Sequence, residues 1–223
     1  MSGPEYIDCE QGTDAWLRAR LGLVTMSKAG TILAKGKDGK SPSLTRATYM
    51  RELCAEIITG EPTESYTNGH MERGKRQEAD ARRLYAFAHD VEPRLVGFVR
   101  RDDLKAGCSP DSMLDPDGII EIKTRLPHLQ VELVLADQFP PEHKAQVQGN
   151  LWITEREFCD LIVYSPGLPL YVSRMYRDED FITKLSAGVR QFNVELAKMV
   201  DQVRRFGMPA ADRLRLQLEE SAA

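Results

Sequence analysis

Ser109-Pro110-Asp111-Ser112-Met113-Leu114-Asp115-Pro116-Asp117-Gly118-Ile119-Ile120-Glu121-Ile122-Lys123 reads as a hairpin with charged side chains gathered at one end. Glu121 and Lys123 stand at i and i+2. A strand sends alternate side chains to the same face, so this carboxylate and ammonium point into one cleft while Ile122 faces the core. Asp115, Pro116, Asp117 and Gly118 are turn formers, and a turn there folds the chain back so that Asp111 meets the other two. Two acids and one base then sit at the hairpin's mouth.

Glu-x-Lys alone is common, and an exposed hairpin with a surface ion pair would explain it. With Pro-Asp at this distance and a turn between, the pattern favours a site. Two carboxylates bind Mg²⁺ through oxygen, with Mn²⁺ as a natural substitute. The ion polarises a phosphoryl oxygen and helps generate hydroxide, and a lysine beside it orients water or offsets developing negative charge.

The Pro110-Asp111…Glu121-Ile122-Lys123 pattern resembles the PD-(D/E)XK nuclease superfamily. Four flanking blocks narrow the resemblance to the phage lambda exonuclease (YqaJ-type viral recombinase) family: Trp16 to Ser27, Gly74 to Arg82, Cys108 to Asp111, and Ala145 to Gln148. They occur in family order over residues 16 to about 155. The resemblance implies an α/β fold with a central mixed β-sheet flanked by helices. It also implies a Mg²⁺-dependent exonuclease that degrades duplex DNA 5′ to 3′ from a phosphorylated end, releasing 5′-mononucleotides and leaving a 3′ single-stranded tail. A homotrimeric ring and a phage single-strand annealing protein as recombination partner come with it. Two alternatives stay open: another nuclease on the same fold, of restriction or junction-cleaving type, and a non-catalytic module that binds DNA ends.

Site residues follow by matching position. Asp111 and Glu121 would hold metal with the Ile122 carbonyl as an added ligand and Glu78, of the Gly-x-x-x-Glu helix, in support. Lys123 and Gln146 would position water. From the residues alone, Glu78 among Arg76, Asp80 and Arg82 is also a plausible solvated helical ion pair, and Gln146 and Gln148 could be polar residues on a helix that packs through Val147 and Leu151. Arg20, Ser27 and Ser109, joined by Thr25, would hold the 5′-phosphate, because a guanidinium beside hydroxyls offers charge-assisted bonds. Lys37 and Lys40 match a DNA-tracking loop, Gln148 is a further DNA-contact candidate, and Met71 falls where the family places an apolar wedge that parts the terminal base pairs.

Composition permits a DNA partner despite a net charge of −4. From Arg18 to Arg51 eight cationic residues face Asp38 alone, so this segment carries +7 and the rest −11. That asymmetry suggests a basic face for phosphates. The chain of 223 residues reads as one domain: a DNA-contacting segment over about 16–51, a nuclease core over about 69–177 and a terminal helix over about 178–205. No apolar run approaches 18 residues and the first residues lack a signal peptide's basic and apolar regions, so a cytoplasmic protein without membrane contact, in a bacterial host of phage or prophage, is expected. Cys9, Cys54, Cys108 and Cys159 are scattered singly, which gives no knuckle for zinc or an iron-sulfur cluster, and the four histidines have no metal spacing.

Periodicity and turn residues predict helices from Ser27 to Ile32, from a Thr45 cap to Gly60, from Met71 to Ala88 with Leu84, Phe87 and Ala88 inward, and from Pro140 through Trp152. A long terminal helix carries Phe181, Leu185, Val189, Phe192, Leu196, Met199 and Val203. Strands are predicted over 94–100, 107–114, 119–123, 158–164 and 170–176.

Overall fold

The computed structural model describes residues 3–63 and 69–209, with the side chains of 69–73 and 75 outside that description. Two four-stranded sheets lie at its centre. The first contains β1 (Glu5–Ile7), β2 (Val24–Thr25), β3 (Phe98–Arg101) and β4 (Ala106–Cys108), in the order β1-β3-β4-β2. The second runs consecutively through β5 (Ser112–Leu114), β6 (Gly118–Thr124), β7 (Phe158–Tyr164) and β8 (Tyr171–Tyr176). Both are mixed: β2 is parallel to β4 and β6 is parallel to β7, and the other pairs are antiparallel.

β6 and β7 form the rigid centre. Seven residues pair in register, from Gly118 with Phe158 to Thr124 with Tyr164. Parallel neighbours require a crossover, here made by α5 (Pro127–Ala136) and α6 (Lys144–Thr154). Ile119, Ile120, Ile122, Leu161, Ile162 and Val163 are all buried, and each such side chain contributes roughly 1.5–3 kcal/mol of burial. The strand expected over 107–114 is two strands in different sheets, because the chain leaves one ladder at Cys108 and enters the other at Ser112. Ser109, Pro110 and Asp111 are the link, so the first acid sits at the seam between the sheets.

The remaining helices are α1 (Asp14–Ala19), α2 (Ala29–Leu33), α3 (Leu44–Thr59), α4 (Gly69–His89) and α7 (Glu179–Arg204). Ser43, rather than Thr45, caps α3 by accepting from the Arg46 N–H, and Gly60 ends it in the left-handed region at φ 71°. Asp178 caps α7, whose Leu185, Val189, Phe192, Leu196 and Val200 make one buried stripe against α3. Ser27 caps nothing: it lies in a 3-10 turn over Met26–Lys28, and the cap of α2 is Lys28 with no side-chain bond. Among the described side chains of α4 the buried ones are Ala81 and Tyr85, and the three expected inside, Leu84, Phe87 and Ala88, are exposed, Phe87 by 90%. Gly149 lets α6 close on the 3-10 turn, since a Cβ there would lie 2.6 Å from the Met26 sulfur.

No helix among the described residues is long and apolar enough to cross a membrane.

Candidate active site

The hairpin from Ser112 to Thr124 sets the geometry. β5 and β6 pair antiparallel with Ser112 opposite Ile120, and the ladder continues one step further through the Asp111 N–H, which donates to the Ile120 carbonyl at 3.0 Å. There the backbone pairing stops and the Asp111 side chain takes over. Its Oδ2 accepts from the Ile122 N–H at 2.5 Å. Residues i and i+2 of a strand turn their N–H and C=O to the same edge, so the Ile122 carbonyl faces the side on which Asp111 lies.

Glu121 and Lys123 project to the other face of β6, under α6. Glu121 is 3% exposed and fully held: its Oε1 accepts from Lys123 Nζ at 2.7 Å and Gln146 Nε2 at 2.5 Å, and its Oε2 accepts from Asn150 Nδ2 at 2.9 Å. Gln146 and Asn150 are i and i+4 on α6, one turn apart, and both therefore reach down to the same carboxylate.

Electrostatics mark the cluster as a place where acids crowd one another. Burial pushes the Asp111 carboxyl well above the usual range, and the Glu121 and Glu78 carboxylates push it further, against the pull of the Ile122 N–H and Lys123. Burial alone would lower the Lys123 ammonium, but Glu121, Asp111 and Glu78 outweigh it and hold Lys123 above its ordinary value. Glu78, on α4, lines a cleft of about 340 Å³ with Asp111, Gln11 and Arg82. Arg82 braces the cleft floor, donating through Nε to Ser112 Oγ at 2.8 Å and through Nη2 to the Asp111 carbonyl at 3.2 Å.

The buried Glu121, the half-buried Asp111, a third acid beside Asp111 and a carbonyl are hard oxygen donors, and their mutual repulsion is what a divalent cation relieves. The set fits Mg²⁺. Among the described residues no three acidic, imidazole or thiol groups converge as a ready cage. Mg²⁺ needs none, since it commonly takes one or two carboxylates and completes its shell with water and substrate phosphate.

A second pocket of about 160 Å³ adjoins this cluster, lined by Gln11, Trp16, Arg20, Thr25, Ser27 and Ser109 and by Gln146 and Asn150, which bond to Glu121. The Arg20 guanidinium stacks on the Trp16 ring at 4.0 Å and donates to Thr25 Oγ1 at 3.3 Å. Thr25 Oγ1 meets Ser27 Oγ at 3.3 Å, and Trp16 Nε1 donates to Ser109 Oγ at 2.8 Å. Burial lowers the Arg20 guanidinium from its usual value, partly offset by Tyr49 and Glu56, yet arginine remains cationic. The structure thus brings together the four residues singled out for a terminal phosphate, and adds Trp16 as their support.

Other expected contacts lie apart from both pockets. Gln148 is wholly buried, donating to the Tyr176 carbonyl at 2.8 Å and accepting from the Asp178 N–H at 2.8 Å, so it joins α6 to the end of β8 and is out of reach of DNA. Arg46, counted in the basic segment, is buried on Phe192 and paired with Glu195 at 2.7 Å. Lys37 and Lys40 are exposed on a tight loop that Asp38 closes by accepting from the Lys40 and Ser41 N–H groups at 2.9 Å. The Met71 side chain lies outside the described residues. Asn150, Gln11 and Arg82 were not singled out from the sequence; only the i, i+4 relation of Asn150 to Gln146 pointed to one of them.

A model of the YqaJ-like viral recombinase domain matches residues 15–157, a span that holds Glu78, Asp111, Glu121 and Lys123 and every residue of the second pocket except Gln11. The chain belongs to this family. Among solved structures, the alkaline exonuclease LHK-Exo of Laribacter hongkongensis superposes with a TM-score of 0.78 at 29% identity, covering 86% of this chain and 97% of that one. The same enzyme solved in complex with dAMP matches equally. A phage-related exonuclease from Haemophilus somnus 129PT shares the fold at a TM-score of 0.62 and 14% identity, over 81% of this chain and 96% of that one. No curated protein sequence matches. The YqaJ-family chain thus has an α/β fold of the PD-(D/E)XK nuclease type, and its relatives point to nuclease chemistry of the exonuclease kind.

Proposed function

We propose that this chain is a Mg²⁺-dependent exonuclease that digests one strand of duplex DNA from a 5′-phosphorylated end, releasing 5′-mononucleotides and leaving a 3′ tail. The observation that carries the reading is the adjacency of the second pocket to Glu121: hydroxyls and a guanidinium fit for a terminal phosphate share Gln146 and Asn150 with that buried carboxylate. A bond next to an anchored end would be presented to the acids, and an internal bond would not. The dAMP bound by the Laribacter hongkongensis exonuclease is a product of the expected class.

In this reading Asp111, Glu121 and the Ile122 carbonyl would hold the metal, with Glu78 in support and Mn²⁺ able to replace Mg²⁺. When bound, the ion supplies Lewis-acid polarisation of the scissile phosphate and a more acidic water. Lys123, kept cationic by its three acid neighbours, offsets charge that develops on the phosphate and with Gln146 orients the attacking water. Arg20, Ser27, Ser109 and Thr25 fix the terminal phosphate, and exposed Lys37 and Lys40 follow the duplex backbone.

Resting on family resemblance, the proposal extends to one exonuclease domain over 1–223, a homotrimeric ring around DNA, supply of 3′ tails to a phage single-strand annealing protein, and action in the cytoplasm of a bacterial host. The test is digestion of linear and covalently closed circular duplex with Mg²⁺ and with EDTA. Linear DNA should be consumed only with metal and closed circles should survive. Cleavage of closed circles would instead make the chain an endonuclease on this fold, and inactivity on every substrate would leave a DNA-end-binding module.

A further inference from the structure

Asn150 stands between the second pocket and Glu121. Its amide donates to Glu121 Oε2 at 2.9 Å, it is 1% exposed, and it lines the cavity that holds Arg20, Thr25, Ser27 and Ser109. Its place there is set by packing: Gly149 lets α6 settle against Met26, whose flanking residues Thr25 and Ser27 supply the pocket hydroxyls. A carboxamide carries two N–H donors. Glu121 takes one, and an oxygen of a phosphate in the cavity would take the other.

Resting on the exonuclease reading above, we infer that Asn150 is a positioning residue that couples occupancy of the terminal-phosphate pocket to the alignment of Glu121. With the pocket empty, Asn150 has a single anionic partner and its amide can follow Glu121 wherever that carboxylate moves. With a phosphate present, it is pinned from both sides, and Glu121 Oε2 is fixed in direction. Gln146, which also lines the cavity, holds the other oxygen, so the carboxylate is then fixed at both ends. The end phosphate would thereby raise the rate of the chemical step as well as the affinity for the end, a distinction that a pocket acting only as an anchor does not produce.

The experiment is single-turnover hydrolysis, at saturating enzyme and Mg²⁺, of two linear duplexes that differ only in a 5′-phosphate or a 5′-hydroxyl, with end affinity measured separately in Ca²⁺. Wild type should cleave the phosphorylated end faster at saturation by about tenfold or more. Asn150→Ala should keep the affinity preference, because Arg20 and the hydroxyls remain, and bring the two saturated rates to within about twofold of each other. Asn150→Asp, which fills the same volume but presents a carboxylate to Glu121, should do likewise and guards against collapse of the Ala variant. Arg20→Ala should show the opposite split and lose the affinity preference. If both Asn150 variants slow the two substrates equally and keep their ratio, Asn150 only supports the fold and the inference is overturned. If wild type itself shows no preference in rate or affinity, the phosphate pocket fails, which is a separate result from failure of the coupling.

Discussion

Neighbouring strands carry two buried carboxylates with opposite surroundings. On β7, Asp160 accepts two bonds from Arg174, at 2.7 and 2.8 Å, and one from the Tyr85 hydroxyl at 2.5 Å. Its charge is matched by one guanidinium, and the Tyr85 phenol, pushed well above its ordinary value by burial and by Asp160, stays a neutral donor. On β6, Glu121 lies with Asp111 and Glu78 against Lys123 as the ammonium among them. Both carboxylates are satisfied in hydrogen bonds, so bonding does not separate them; charge balance does. A buried acid with its own arginine is finished as a structural element, whereas acids that push one another's carboxyls up make a place where a further cation is favoured. Bound Mg²⁺ would be that cation.

The largest effects should come from exchanging the two regions' fates. Asp111→Ala, Glu121→Ala and Lys123→Ala should each lower single-turnover hydrolysis on the order of a thousandfold, with combined losses far from additive, while binding of DNA ends in Ca²⁺ persists. Arg174→Ala should do the reverse. Leaving Asp160 buried without its cation destabilises the fold by about 2 kcal/mol, a figure reduced from that for fully buried pairs because the guanidinium is half-exposed, and the folded fraction should retain its rate. Denaturant melts alongside rates check both; robust cleavage by Lys123→Ala would remove the contrast.

Next in size is end recognition. Arg20→Ala should cut the preference for 5′-phosphate over 5′-hydroxyl ends by about tenfold to a hundredfold, since a charge-assisted bond in a partly desolvated pocket is worth roughly 1.5–3 kcal/mol. Competition between the two ends measures it.

A smaller effect tests the charge excess itself. Asp111 has a raised carboxyl in the folded state, so its protonated form favours folding below about pH 4, and that contribution is lost as pH rises from there through the raised value. Other acids, such as Asp38 and Asp178, are lowered and shift stability the opposite way, so the informative quantity is a difference. In EDTA at neutral pH, Asp111→Asn should be more stable than wild type by about 1 kcal/mol, and the gap should close toward pH 4. Adding Mg²⁺ should raise the wild-type Tm more than that of the variant. Equal Tm values at all pH would mean that the cluster carries no surplus charge.

The smallest effect concerns the surface. Neutralising Lys37 and Lys40 together should flatten the log-log salt dependence of duplex binding by about one to two units, because each phosphate contact contributes roughly 0.9, and the saturated rate should barely move. Fluorescence anisotropy across a salt series reads this directly.

What the sequence revealed follows from distance along the chain. Asp111, Glu121 and Lys123 sit on one hairpin, where strand alternation and a turn dictate who meets whom; α7 announced itself through its apolar periodicity and α6 through the prolines ahead of it, although it begins only at Lys144. The partnerships that escaped are long-range. Asn150 reaches Glu121 across 29 residues, Trp16 reaches Ser109 across 93, and Arg46 reaches Glu195 across 149, so no local pattern links them. Near misses arose where two residues of one chemistry compete: Ser43 and Thr45 could each cap α3, and their hydroxyls lie 2.9 Å apart, but only Ser43 receives the Arg46 N–H. Gln148 misled for the same reason, being one position-pair away from Gln146 on a helix whose faces the spacing alone does not name.

The most direct test of the account is digestion of a linear duplex bearing distinguishable labels at its 5′ and 3′ ends, with 5′-phosphates present and Mg²⁺ in excess. The account predicts immediate release of the 5′ label as a mononucleotide, while the 3′ label stays on a long single strand until late in the reaction. Early release of the 3′ label, or appearance of internal fragments before either label is freed, would contradict it.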